Sequence, residues 1–244
     1  MHRKLVIIPT YNEKENIADI IAAVFALEGN FHVLVIDDGS PDGTAEIVKR
    51  LQEEGASSSC RLHLLQRAGK LGLGTAYLMG FKWALEKGYD YVFEMDADFS
   101  HNPADLLRLY KACSEEGADM VVGSRYCNGV SVVDWPIGRI IMSYFASAYV
   151  RHTLGMKVYD TTAGFVCYSR KVLENINLDA VKMKGYGFQI EMKYTAYKLG
   201  FTLKEVPIIF VNRQKGTSKM SGGIFGEAFW GVMGLRFRRI KPRS

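Results

Sequence analysis

The stretch VFEMDADFSHNPADLL, Val92 to Leu107, joins an apolar run to a helical pattern through a turn that carries two aspartates. The apolar run predicts a β-strand over Tyr91–Asp96 that is buried on both faces. The Asn-Pro pair in the turn is typical of a helix start. A helix cap does not account for Asp96, because aspartate is disfavoured in strands and its charge repels that of Asp98. The stretch therefore predicts one strand-turn-helix unit whose turn needs a compensating ligand.

The same strand-helix alternation runs through the first half of the chain. A helical pattern between the first two strands places Ile17, Ile20, Ile21 and Val24 on one face. Alternation of this kind predicts an α/β fold, a Rossmann-like doubly wound and mostly parallel sheet. The other strands are predicted at Lys4–Ile8, His32–Asp38, Arg61–Leu65 and Asp119–Ser124.

Three of these strands end in polar sequence: PTYNE from Pro9, DDGSPDGT from Asp37, and DADFS from Asp96. In a parallel sheet these ends meet at one edge, where ligands bind. Two carboxylates with one residue between them can both face a hard divalent cation, which prefers oxygen ligands and shares its shell with substrate phosphates. We therefore predict Mg²⁺ or Mn²⁺ at this edge, with helix capping as the alternative explanation.

Composition and charge narrow the function classes. The 244 residues are 48% hydrophobic and 23% charged, which is typical of a folded protein. A net charge of +5 points to anionic partners without choosing among nucleotide, lipid and nucleic acid. The four cysteines form no CxxC pair, so we expect free thiols in a reducing cytosol.

We expect neither a signal peptide nor a membrane-spanning segment in this sequence. The apolar run Leu5–Ile8 ends at Pro9, too short for a signal peptide, and no run approaches about 18 apolar residues. We expect a cytoplasmic protein that lies on a membrane if it meets one. One catalytic domain is predicted over residues 1–220, ending in a strand over 202–213, with a C-terminal segment over 221–244.

Five motifs in order resemble the family 2 glycosyltransferases, and among them the dolichyl- or polyprenyl-phosphate mannose synthases. They are PTYNE (Pro9–Glu13), DDGSPDGT (Asp37–Thr44), DADFSHNP (Asp96–Pro103), GSRY (Gly123–Tyr126) and RQKGTSKM (Arg213–Met220). The resemblance runs from Leu5 to about Met220 and implies a glycosyltransferase fold of the GT-A type.

The resemblance also implies roles for individual residues. Asp98 would hold the metal on the donor diphosphate, and Ser100 stands where some relatives have a glutamine ligand. For the residues of the first loop, an ordinary turn is the alternative. The residues expected around the nucleotide are Pro9, Tyr11, Glu13, Ile36, Asp38, Asp96, Ala97 and Asp98.

Basic residues would neutralise the two phosphate groups that meet in such a reaction. Arg125, Arg213 and Lys219 are expected at the donor diphosphate, and Arg125, Arg139 and Arg213 at the acceptor phosphate. The glycine and hydroxyl residues of KGTSK let backbone amides approach an anion, although a basic run is also typical of a solvated loop. Asp96, Asp98, Arg125, Arg213 and Lys219 are the expected catalytic residues.

The implied reaction transfers mannose from GDP-mannose to dolichyl or polyprenyl phosphate with inversion. A lipid monophosphate has a second pKa of about 6, so it needs no strong base. His101 is the nearest histidine, and it suits a capping turn equally well. The partners implied are the nucleotide sugar, the lipid phosphate and a membrane surface. A partner subunit in the membrane is compatible with this reaction.

Three alternatives to this function stay open. The first is a UDP-glucose-dependent lipid-phosphate glucosyltransferase, and the other two belong to different classes of protein. GKLGLGTAY suggests a dinucleotide oxidoreductase, but Tyr77 stands at its third glycine position and the motif does not follow the first strand. A nucleic-acid or membrane binding module would use the positive charge. The acidic edge argues against nucleic acid as the main ligand.

The C-terminal segment contains Phe225, Phe229 and Met233 at helical spacing, with Trp230 beside them. Five of the last nine residues are basic. This pattern suits a helix that lies in a membrane interface near anionic lipid. A terminal helix packed on the domain is the alternative.

Overall fold

The computed structural model describes residues 2–55, 61–183, 185–212 and 224–243, and gives side chains for the last range from residue 230 onward. Its centre is a seven-stranded sheet in the order β3-β2-β1-β4-β7-β5-β8, in which only β7 runs antiparallel to its neighbours. The strands are β1 (Lys4–Thr10), β2 (Phe31–Asp37), β3 (Leu62–Gln66), β4 (Tyr91–Glu94), β5 (Met120–Ser124), β7 (Val166–Ser169) and β8 (Leu203–Pro207). The predicted doubly wound, mostly parallel sheet is confirmed.

Helices cover both faces of this sheet. They are α1 (Ile17–Phe25), α2 (Thr44–Glu54), α3 (Leu73–Glu86), α4 (Asp105–Ser114), α5 (Ile137–Leu154), α6 (Arg170–Asn175), α7 (Tyr186–Lys198) and α8 (Ile224–Phe237), with a 3-10 turn at Leu178–Ala180.

The core forms two layers because side chains alternate along each strand. In β1, Val6 and Ile8 face the layer that holds α1, α2 and α4, while Leu5 and Ile7 face the layer that holds α3, α6 and α7. The predicted inner face of α1 is confirmed, since its four apolar residues are buried.

Two predicted strand ends are wrong. The strand β4 ends at Glu94, so Asp96 lies beyond it in the turn, where no ladder position disfavours aspartate. The strand predicted over 202–213 is split after Pro207, the last residue in register with β5. Its second piece, β9 (Phe210–Val211), pairs with β6 (Val132–Val133) in a separate two-stranded sheet.

The topology sets the position of the site. β2 and β3 lie on one side of β1, and β4 lies on the other, so the direction of winding reverses between β1 and β4. In doubly wound sheets a crevice opens at such a reversal, outside the carboxyl ends of the strands. The sequences that follow β1, β2 and β4 therefore surround one opening.

The described part of α8 packs on the domain. Val232 and Leu235 are buried in a small cluster with residues of α5 and α7, and Arg238 pairs with Glu191 of α7. No helix in the described ranges is long and apolar enough to cross a membrane.

Candidate active site

A cavity of 330 Å³ opens at the carboxyl ends of β1, β2 and β4. Polar loops from the first half of the chain form one wall, and aromatic and basic residues from the second half form a second wall. Of the residues predicted at the site, Pro9, Tyr11, Glu13, Asp38, Asp96, Ala97, Asp98, Ser100, Arg125 and Arg139 line it. Ile36 does not line the cavity, because its side chain is fully buried under α3.

The two aspartates at the end of β2 have different environments. Asp37 is buried and accepts hydrogen bonds from the Thr10 hydroxyl at 2.9 Å and from the Ser40 hydroxyl at 2.5 Å. These bonds tie the ends of β1 and β2 together, so Asp37 shapes the loops. Asp38 is the aspartate that reaches the cavity.

Asp38 is paired with Arg67, a residue that the sequence analysis missed. The Arg67 Nε lies 2.6 Å from Asp38 Oδ1, and its Nη1 donates to the Thr75 hydroxyl at 2.6 Å. Burial raises the pKa of Asp38, and Arg67 acts against this rise. The pair attaches the loop between β3 and α3 to the first wall.

The two aspartates after β4 also differ. The Asp98 side chain is buried, and its Oδ1 accepts the Ser100 N–H at 3.0 Å. The Asp96 side chain is 40% exposed toward the opening. Phe99, which stands between Asp98 and Ser100, has a φ of +57°. This value is rare for a bulky residue and fixes an unusual turn.

His101 supports this turn from below. Its ring stacks on Phe165 at 4.8 Å, and its Nδ1 lies 3.5 Å from the Asp96 backbone nitrogen. Burial lowers the pKa of His101 to about 4, so the ring is neutral near pH 7.

The acidic side of the cavity has the oxygen donors that a hard cation prefers. Asp96, Asp98 and Ser100 all line it. The described residues contain no group of three or more His, Cys, Asp or Glu that could hold a metal ion. Oxygen donors of this kind suit Mg²⁺ or Mn²⁺, and such ions commonly complete their shell with substrate phosphate.

Arg125 lines the cavity, but most of its guanidinium is already bonded. Its Nε and Nη2 each lie 2.7 Å from a carboxylate oxygen of Asp160, and Nη2 also donates to the Thr162 hydroxyl at 3.0 Å. Asp160 is fully buried. The charge expected to neutralise phosphate is therefore largely balanced inside the protein, and a phosphate contact by Arg125 stays a prediction.

Arg139 begins the basic and aromatic wall. Its guanidinium lies 3.9 Å from the centre of the Trp135 ring, and its Nη1 donates to Asn212 Oδ1 at 3.4 Å. Trp135 and Phe210 line the cavity with it. The predicted residues Arg213 and Lys219 lie outside the described residues, as does the rest of the RQKGTSKM motif from Arg213 onward.

A buried polar network lies behind the cavity. Gln189 lines the cavity from α7, donates to Glu94 Oε2 at 2.7 Å and accepts a bond from Lys193 Nζ at 3.2 Å. Lys193 also donates to the Ala163 carbonyl at 2.6 Å. Burial raises the pKa of Glu94 to about 8 and lowers the pKa of Lys193 to about 8.

Sequence reasoning missed Lys70, Tyr77, Trp135 and Gln189 as cavity residues. Lys70 stands in a basic loop, and its Nζ lies 5.4 Å from the centre of the Tyr11 ring. Tyr77 and Gln189 sit in helical patterns that indicate packing alone. The helix that carries Gln189 also carries Glu191 and Lys193, so one more polar residue gave no separate signal.

The sequence and the fold both match known proteins. Residues 5–176 match Glycosyl transferase family 2. The chain is 47% identical over 237 residues to a polyprenol monophosphomannose synthase of Mycolicibacterium smegmatis, with 95% of this chain and 88% of that protein covered. It is 45% identical to an undecaprenyl-phosphate mannosyltransferase of Micrococcus luteus, with 97% and 98% covered.

A crystal structure of glucosyl-3-phosphoglycerate synthase from Mycobacterium tuberculosis, in complex with Mn²⁺, UDP and glucosyl-3-phosphoglycerate, superposes with a TM-score of 0.68. The identity is 20%, with 96% of this chain and 80% of that chain covered, so the likeness shows the fold. It confirms the GT-A type predicted from the motifs. The family match and the two relatives show that this chain belongs to the family 2 glycosyltransferases.

Proposed function

We propose that this chain transfers mannose from GDP-mannose to a polyprenyl or dolichyl phosphate with inversion at the anomeric carbon. The observation that carries the proposal is one cavity lined both by carboxylates, which suit a cation and diphosphate, and by arginine and aromatic side chains. The two relatives, a polyprenol monophosphomannose synthase and an undecaprenyl-phosphate mannosyltransferase, support the sugar and the acceptor class.

The residues divide the work by charge. Asp98, with Asp96 and Ser100, would hold Mg²⁺ or Mn²⁺, which when bound supplies positive charge to the leaving diphosphate. Pro9, Tyr11, Glu13 and Asp38 form the wall that receives base and ribose.

On the second wall, Arg139 offers a guanidinium to the acceptor phosphate beside the rings of Trp135 and Phe210. Arg213 and Lys219 would add positive charge that neutralises the phosphate groups. The acceptor is already ionised near neutral pH, and no strong base is required. The neutral, stacked His101 fits that requirement. Rate enhancement then rests on alignment of two anions and on charge stabilisation.

Membrane association is part of the same proposal. Ile137, Ile141 and Phe145 stand four residues apart on α5, and their side chains are 74%, 51% and 65% exposed. The helix begins next to the acceptor wall, since Arg139 lies in its first turn. An apolar stripe at this place suits a protein that lies on the cytoplasmic face of a membrane and takes a lipid phosphate from it.

A transfer assay tests the proposed reaction. The protein is incubated with polyprenyl phosphate and either GDP-mannose or UDP-glucose, with Mg²⁺, Mn²⁺ or EDTA, and the lipid product is identified. We expect mannosyl lipid from GDP-mannose that is lost with EDTA. Glucosyl lipid from UDP-glucose alone would contradict the donor assignment.

Asp98→Asn should abolish metal-dependent transfer while the melting temperature changes little, because the substitution removes the charge and keeps the size. Asp19→Asn is the matched control on the exposed face of α1, and it should leave transfer unchanged. Unchanged turnover and metal affinity in Asp98→Asn would refute the metal assignment.

Arg213→Ala and Lys219→Ala should reduce transfer far more than they reduce binding of free GDP, since both are expected to act when donor and acceptor phosphates are together. Calorimetry with GDP and kinetics on the same variants measure the two effects. Equal losses would assign both residues to nucleotide binding.

A further inference from the structure

Tyr77 lies in α3, and its ring is held rigidly next to the cavity. The ring is fully buried and nearly parallel to Phe188, with centres 6.0 Å apart and an angle of 7°. Phe81 stacks on it as well, at 6.2 Å. Gly74, one turn earlier, leaves room for Phe188, because a Cβ there would lie 2.9 Å from that side chain.

The Tyr77 hydroxyl has no hydrogen-bond acceptor among the residues that the structure describes. The Met95 N–H, which bonds the Ile7 carbonyl, also approaches the phenol oxygen as a donor. This contact leaves the phenol hydrogen unused. A buried polar group without a partner is costly and rare in folded proteins, and it often marks a place where a ligand bonds.

The hydroxyl is directed to the acidic side of the cavity. Tyr77 lines the cavity. Burial, followed by the charges of Asp96, Glu94 and Asp98, raises the pKa of the phenol well above its usual value. Because the hydroxyl stays neutral, it keeps its hydrogen and can donate it to an acceptor that enters the cavity.

A second neutral donor lines the same cavity. Gln189 follows Phe188, and the bonds to Glu94 and Lys193 fix its amide. Its Nε2 lies 3.7 Å from the point where a Cβ on Gly164 would stand, and Gly164 also lines the cavity. Two uncharged donors beside carboxylates suit uncharged hydroxyl groups better than they suit phosphate, which the carboxylates repel unless a cation intervenes.

We infer that the Tyr77 hydroxyl donates a hydrogen bond to a hydroxyl oxygen of the donor sugar, with the Gln189 amide beside it. The inference rests on the proposed function and adds a residue that recognises the sugar. A sugar contact requires that Tyr77 contribute to binding of the nucleotide sugar and not to binding of the bare nucleotide. A role in packing alone does not require this difference.

The test is Tyr77→Phe, which keeps the stacked ring and removes only the hydroxyl. Melting temperatures and calorimetric dissociation constants are measured for the full chain with Mn²⁺ and either GDP or GDP-mannose, and in parallel with UDP or UDP-glucose. We expect an equal or higher melting temperature without ligand, because an unpaired buried group is removed. Binding of GDP-mannose should weaken about tenfold, which is the loss of one hydrogen bond, while GDP binding is unchanged.

Tyr168→Phe is the matched control. Its hydroxyl is also buried, but it donates to Glu94 Oε1 at 3.3 Å. This variant should lower the melting temperature without ligand, and should affect nucleotide and nucleotide sugar alike.

Equal weakening of GDP and GDP-mannose by Tyr77→Phe would move the contact to the nucleotide and overturn the inference, as would no change in either. If the wild-type chain binds UDP-glucose in place of GDP-mannose, the proposed donor is wrong. The comparison of UDP with UDP-glucose then decides the role of Tyr77 by the same criteria.

Discussion

At the scale of the residue, Arg125 and Asp160 show how a motif residue can serve the fold. The arginine side chain is 8% exposed, and the carboxylate is fully buried. Burial opposes ionisation of Asp160, yet the bonds from Arg125 keep its pKa below the usual value. Removal of one member of such a pair leaves an uncompensated buried charge.

Asp160→Asn should therefore destabilise the protein by about 3–5 kcal/mol. Chemical denaturation measures the change in the free energy of unfolding. Glu174→Gln is the matched control, because Glu174 forms an ion pair with Arg170 on the surface, and such pairs contribute about 1 kcal/mol or less. A loss in Asp160→Asn as small as in the control would show that the buried pair is not a structural element.

The residues predicted from sequence are those whose chemistry conflicts with their local pattern. Asp98 and Asp38 were predicted to be at the site because carboxylates follow apolar strands there, and both line the cavity. Tyr77 and Gln189 escaped prediction because each fits a helical packing pattern. Only the three-dimensional arrangement shows an unpaired hydroxyl or an amide between Glu94 and Lys193.

At the scale of the element, α3 approaches the sheet closely through a glycine. A Cβ at Gly80 would lie 2.7 Å from Ile7 Cδ1 and 3.0 Å from Ile36 Cδ1. The helix could not keep its present distance from β1 and β2 with a larger residue at this position. This contact also places Tyr77, one turn earlier, beside the cavity.

Gly80→Ala should destabilise the protein by about 1–3 kcal/mol, because an overpacked core must shift. Gly234→Ala in α8 is the matched control, since nothing lies within 4 Å of a Cβ there. This control should be neutral or stabilising by about 0.5–1 kcal/mol, the helix preference for alanine. Thermal unfolding of both variants measures the contrast, and equal effects would refute the close approach of α3.

The elements themselves were largely predictable, and their ends were not. Apolar runs and helical spacing indicate β1 and α1, because burial on a sheet imposes those periods. The end of β4 at Glu94 and the separation of β9 from β8 depend on which neighbours offer ladder bonds. These neighbours are distant in sequence, so a local pattern does not contain that information.

At the scale of the whole molecule, exposed apolar and basic groups lie on α5 and on the C-terminal segment. Trp230 on α8 is 74% exposed, like the stripe on α5, and α8 packs against α5. Arg236, Arg239, Lys241 and Arg243 are exposed beyond it. Arg238 is engaged with Glu191 and the Ala180 carbonyl, so it serves the fold more than a membrane.

This division gives the apolar stripe and the basic tail separable effects on membrane binding. Ile141→Glu with Phe145→Glu should weaken sedimentation with neutral and anionic liposomes alike, because charge replaces apolar area in the interface. Arg236→Gln, Arg239→Gln and Lys241→Gln together should weaken binding to anionic liposomes only, by roughly 1 kcal/mol per residue, with the effect lost in high salt. Arg238 stays unchanged in these variants, so that its bonds to the domain are kept.

Leu107→Glu, at an exposed leucine on α4, is the control for added charge and should bind like the wild type. If liposome binding does not depend on lipid charge, on salt or on the tail substitutions, the tail is not an electrostatic anchor. If binding survives both sets of substitutions, the membrane-binding surface lies elsewhere on the molecule.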